Sequence, residues 1–193
     1  MPHLNRTALL VVDVQNDFAD SNGSLYVSGG EDVVQVANRQ IERAKGAESL
    51  VVYTQDWHPP STPHFQKDGG IWPVHCVQET WGAAFRPELY VAGEVLRKGT
   101  AGEDGYSGFS VRDPVSGEHD ATALEANLRA YGVTRLVILG LATDYCVKET
   151  ALDGMRLGFE TVVLLEGCRA VNLQPEDGER AIEDMKVAGV RFE

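Results

Sequence analysis

A cysteine at position 146 and three histidines between positions 58 and 75 are the side chains best suited by type to do chemistry. Cys146 follows the apolar run Val137-Ile138-Leu139-Gly140-Leu141, and residues 142–147 read as the turn from a buried strand into a helix. Open α/β sheets build their sites at such turns. A thiol in the first turn of a helix feels the positive end of the dipole, which favours the nucleophilic thiolate. Against that, an unpaired cysteine is often just a small buried hydrophobe. Cys168, at the end of another strand, fits that plainer description, and Cys76 reads as a packed neighbour of His75.

Strand ends supply partners. Asp13 stands near the end of TALLVVDV, Asp56-Trp57-His58 follow SLVVYT after one residue, and Lys98 follows Val95-Leu96-Arg97. Buried acids are rare unless paired, and a lysine beside a carboxylate keeps it ionised while also favouring a nearby thiolate. Asp13, Lys98 and Cys146 are therefore a candidate acid, cation and nucleophile.

The second constellation is ligand-like. Asp56 and His58 are two apart, so in extended chain both point to one side; His64 and His75 follow in the same loop. Imidazole and carboxylate donors in this arrangement suit one divalent metal per chain, zinc first, with iron and manganese as alternatives. Phe18, Trp72 and Tyr106 flank these groups, and in a pocket the three rings could sandwich a flat ligand. His3 and His119 sit in polar contexts and receive no role.

Positioning such groups takes a sheet. Apolar runs at residues 7–14, 49–54, 95–98, 135–141 and 161–166 read as strands, with a short edge strand at 190–192. Helical periodicity covers residues 31–45, 121–131, 143–157 and 175–188. Strands alternating with helices predict a three-layer, doubly wound α/β fold with a mostly parallel sheet covered on both faces. Residues 55–90, rich in proline, and 99–120, rich in glycine, read as long loops of functional type. The expectation is one domain over residues 1–193.

Composition narrows the partners. A formal net charge of -12 without a basic cluster argues against nucleic acid, whose phosphate backbone would be repelled. No apolar run reaches membrane-spanning length, and three cysteines make no disulfide framework, so a reduced, cytoplasmic setting is expected. Nothing in the sequence marks an interface, and a homo-oligomer stays open.

The motifs LLVVDVQNDF, TQDWHP, WPVHCV, LRKGT followed by YSGF, and GLATDYCV together resemble the nicotinamidases of the isochorismatase-like cysteine hydrolases, nearly end to end. The resemblance implies hydrolysis of nicotinamide to nicotinate and ammonia through a cysteine thioester, in NAD salvage, with pyrazinamide as a related amide. It implies Asp13, Lys98 and Cys146 as the catalytic triad and Asp56, His58 and His75 as metal ligands, with His64 the candidate for a fourth, variable position. It further implies an oxyanion hole from the backbone N–H groups of Ala142 and Cys146, a cis peptide before Ala142, and ring contacts from Phe18, Trp72 and Tyr106. Cysteine amidases of the same fold that act on carbamoyl or ureido groups are the nearest alternative, and they do not need the metal motif. Glu79, Trp81 and Arg86 depart from the family pattern, outside its motifs.

Overall fold

The computed structural model describes residues 6–193, so His3 lies outside it. Six strands form one sheet: β1 (Thr7–Val12), β2 (Leu50–Asp56), β3 (Glu94–Lys98), β6 (Arg135–Leu141), β7 (Glu160–Arg169) and β8 (Arg191–Phe192). Their order is β3-β2-β1-β6-β7-β8, and every pairing is parallel. Between β3 and β6 a two-stranded antiparallel hairpin forms from β4 (Ser110–Arg112) and β5 (His119–Ala121). The helices are α1 (Asn16–Ala19), α2 (Gly30–Gly46), α3 (Leu124–Ala130), α4 (Lys148–Arg156) and α5 (Asp177–Val187).

The doubly wound, three-layer expectation is met. Leu136 and Leu139, on opposite faces of β6, show why: Leu136 packs toward Gly154 of α4, and Leu139 toward Val36 of α2 by way of Gly167. Central strands covered on both sides must be apolar throughout, which is why β1 reads TALLVV without alternation. α2 lays Val33, Ala37, Ile41 and Ala44 on its buried stripe. Gly140 adopts φ 132, and a Cβ there would lie 2.0 Å from the Val12 carbonyl oxygen. Only glycine lets β6 run this close to β1, at the point where its register against β7 shifts between Ile138 and Gly140.

Boundaries moved where tertiary contacts override periodicity. The helix expected from residue 121 begins at Leu124, because Ala121 pairs with Ser110 in the hairpin. That hairpin also replaces part of the loop expected over 99–120. The helix expected from residue 143 opens instead with a π-helical turn, Thr143–Val147, before α4. The last helix starts after Pro175, at Asp177, and β2 runs on to include Asp56. No helix among the described residues is long and apolar enough to cross a membrane.

The chain builds β1, β2 and β3 outward on one side, then returns to place β6 on the other side of β1. The strand order reverses there, and the crevice beyond the carboxyl ends of β1 and β6 is where a parallel sheet leaves room for a ligand.

Candidate active site

Asp13 is the first residue past β1. Its φ of 49 is a left-handed conformation that aspartate tolerates better than most residues. Thr54 Oγ1 donates to Asp13 Oδ1 at 2.7 Å, and Lys98 Nζ, from the end of β3, donates to Oδ2 at 2.7 Å. Lys98 also donates to Asp56 Oδ1 and to the Gly105 carbonyl, and its Nζ lies 3.6 Å from Cys146 Sγ. One fully buried ammonium thus joins three strand ends to the thiol. Unpaired, it would cost several kcal/mol to bury; two carboxylates and a carbonyl make it tenable.

The charges settle accordingly. Burial lifts Asp13 to about 6, against the pull of Lys98. Burial also opposes ionisation of Asp56, but Lys98, with His58 and His75, outweighs it and holds that carboxyl below its ordinary range. Burial works against the charge on Lys98, and Asp13 and Asp56 override it, so its pKa is raised. At Cys146, burial pushes the thiol pKa up, Lys98 pulls it down, and Asp13 and Asp56 add to the rise. Cys146 lies in the π-helical turn, and its Sγ comes within 4.8 Å of a carboxylate oxygen of both Asp13 and Asp56.

Beside this set, His58, His64 and His75 converge with one ring nitrogen from each within 4.8 Å of the others. Asp56 Oδ2 lies 3.7 Å from His58 Nε2 and 3.9 Å from His75 Nε2. His75 Nδ1 meets the Pro73 carbonyl at 2.8 Å and His64 Nδ1 meets Asp104 Oδ1 at 2.6 Å, which leaves each Nε2 as the lone-pair donor. Burial lowers His75 to about 4, so it is neutral. His58 is completely buried, and neither ring nitrogen has a hydrogen-bond partner. A Cβ on Gly99 would come within 2.5 Å of that ring, so only glycine leaves room for it. An orphaned, buried imidazole among two more and a carboxylate fits a divalent cation, because neutral nitrogen donors facing one point otherwise waste their lone pairs. Cys76 takes no part: its N–H donates to Asp17 Oδ2 at 2.7 Å, and burial raises its thiol pKa.

Both sets open on one pocket. Its empty space, open mouth included, is about 390 Å3. Phe18, Trp72 and Tyr106 line it with Cys146, Asp56 and His75. Trp72 Nε1 donates to Tyr106 Oη at 2.8 Å, which locks two of the ring walls together. Ala142, after a cis peptide bond from Leu141, lines the same pocket. Glu79, Trp81 and Arg86 are not among its lining residues.

The isochorismatase domain model matches residues 7–192. The chain belongs to the isochorismatase family. Within that family it is 38% identical over 200 residues to the nicotinamidase of Escherichia coli, covering 94% of this chain and 92% of the relative. The fold is similar to the crystal structure of a pyrazinamidase of Pyrococcus horikoshii in complex with zinc, with a TM-score of 0.87 and 39% identity over 98% of this chain and 99% of that one. It is also similar to PnC1 from L. infantum in complex with nicotinate, with a TM-score of 0.86 and 34% identity over 97% and 91% of the two chains.

Several residues that shape this isochorismatase-family site escaped the sequence. Gln15 clasps the backbone of Asp56, donating to its carbonyl and accepting from its N–H, both at 2.8 Å. Tyr145 packs edge-on against Trp72 with ring centroids 4.7 Å apart. Asp104 holds His64. Gln15 and Tyr145 lie inside quoted motifs, so their neighbours were a signal; Asp104 had none.

Proposed function

We propose that the protein hydrolyses nicotinamide and closely related ring carboxamides to the acid and ammonia, through a thioester on Cys146, as a step of NAD salvage. What supports this reading is a single pocket that Cys146, Asp56, His64 and His75 line under aromatic walls, with Lys98 joining Asp13 to Cys146 and an orphaned His58 buried beside Asp56. Two of the named relatives are a nicotinamidase and a pyrazinamidase, and this chain is an amidohydrolase acting on a carboxamide.

Asp56, His58, His75 and His64 would hold the metal. What a divalent metal supplies there when bound is a coordination position that a pyridine nitrogen can take, which orients the ring. Phe18, Trp72 and Tyr106 then confine that ring by its faces and edges. The Cys146 sulfur attacks the carboxamide carbon as its proton passes to Asp13, whose raised pKa suits a group that must both take and return a proton. Lys98 stays charged throughout and holds Asp13 in line. The backbone N–H groups of Ala142 and Cys146 receive the oxyanion, a contribution of about 3–4 kcal/mol for each such donor. The C–N bond breaks as Asp13 returns the proton to the leaving ammonia. Water, deprotonated by Asp13, then attacks the thioester; the C–S bond breaks and the thiol recovers its proton.

The test is acid quenching during turnover of nicotinamide, followed by mass analysis of the peptide that carries Cys146. The expected result is one nicotinoyl group on that cysteine, absent from Cys146→Ala. Turnover of nicotinamide with Cys146 never modified, or a preference for ureido over ring amides, would overturn the proposal.

A further inference from the structure

We infer that Asp104 is a positioning residue for the metal site, acting through His64 and fixing it as the fourth ligand. The inference rests on the metal reading proposed above and adds a residue to it. Asp104 belongs to neither motif that carries the other ligands and lies 40 positions from His64 in sequence.

Four observations carry it. Asp104 Oδ1 lies 2.6 Å from His64 Nδ1, so the imidazole is bound as an Nδ1–H donor and its Nε2 is left with a lone pair. His64 is one of the three histidines whose ring nitrogens converge, and its ring stacks on that of His58 with centroids 4.6 Å apart. The Asp104 side chain is nine-tenths buried, a costly place for a carboxylate without a purpose. Asp104 is itself held in place: its backbone N–H donates to the Arg112 carbonyl at 2.8 Å, it accepts from the Arg112 N–H at 3.0 Å, and Arg112 Nη1 lies 3.4 Å from Oδ2.

The placement matters because the next two residues reach the rest of the site. The Gly105 carbonyl accepts from Lys98, and Tyr106 Oη accepts from Trp72. Three consecutive residues therefore touch the fourth histidine, the buried lysine and the ring wall. A carboxylate on the remote nitrogen also makes an imidazole a stronger donor and adds a negative charge near the cation. Asp56 is the only carboxylate within the ligand set itself, so Asp104 supplies a second charge without occupying a coordination position.

The experiment measures zinc affinity of the full-length chain by competition with a chromophoric chelator, for wild type, Asp104→Ala, His64→Ala and the double variant. Asp104→Ala should weaken zinc binding roughly ten- to a hundredfold, the usual effect of removing a partner of a ligating histidine. The double variant should be no weaker than His64→Ala, since both changes remove one interaction. With cobalt(II) in place of zinc, the visible spectrum of Asp104→Ala should move toward that of His64→Ala. Should Asp104→Ala fail to fold, Asp104→Asn is measured in the same way; it keeps an acceptor for Nδ1–H and should lose less affinity than His64→Ala. Wild-type affinity in Asp104→Ala, or losses that multiply in the double variant, would overturn this inference alone. A wild-type chain that binds no zinc would overturn the metal reading and this inference with it.

Discussion

Around Lys98 each charge has a partner, whereas around His58 neither ring nitrogen has one. The two regions share a pocket and are connected through Asp56, whose Oδ1 accepts from Lys98 while Oδ2 faces His58 and His75. The first region sits on strand ends, where the sheet fixes spacing, and it is electrostatically complete as the chain folds. The second hangs on the loop after β2, and in the proposed reading a cation completes it. Removing a group from the first should therefore damage rate or folding outright. Removing one from the second should matter only when metal is present.

The largest expected effect is that of Cys146→Ala, which should lower kcat by on the order of 10^4 or more while zinc stoichiometry stays at wild type. Metal content checked alongside steady-state turnover separates the two regions. Next is Lys98→Met, which strands Asp13 and Asp56 as buried, unpaired acids. It should cost about 3–5 kcal/mol in chemical denaturation, even in metal-free protein. His58→Leu sharpens the contrast. It removes two unsatisfied nitrogens, so the metal-free variant should be at least as stable as the wild type. The wild type should gain about 2.7 kcal/mol from zinc at a hundred times its Kd, and the variant none of it. If Lys98→Met and His58→Leu destabilise the metal-free protein equally, the distinction between the regions fails.

A smaller effect concerns pH. The proton acceptor must be the ionised form of Asp13, and burial sets its pKa at about 6. kcat/KM should therefore fall as the pH drops through about 6, by up to tenfold for each further unit. A profile flat down to pH 5 would contradict the raised pKa that burial gives Asp13. The smallest expected change is Tyr106→Phe, which leaves the Trp72 N–H without its acceptor. It should raise KM several-fold, about 1 kcal/mol, with kcat nearly kept.

The same division explains what could be read in the sequence. Strand ends are local events. β6 was bounded at residues 135–141 by its apolar run alone, and Asp13, Lys98 and Cys146 were placed by the strands they follow. The D-x-H pair was likewise visible as an alternation of extended chain. What stayed hidden depends on distant partners. Gln15 reaches Asp56, 41 residues away, and Asp104 reaches His64, 40 away; no periodicity encodes either contact. The upward push of burial and two carboxylates on the Cys146 thiol also depends on distant partners, whereas the helix start it follows is legible locally. Likewise, Ala121 has good helix propensity and lies in a strand because Ser110 pairs with it.

The most direct measurement is ammonia release from nicotinamide by the full-length protein, before and after exhaustive chelation and again on titration with zinc. Chelation should abolish turnover while the fold persists, and activity should return in proportion to zinc up to one ion per chain. Full turnover by protein verified to be metal-free would contradict a metal-held substrate at this site.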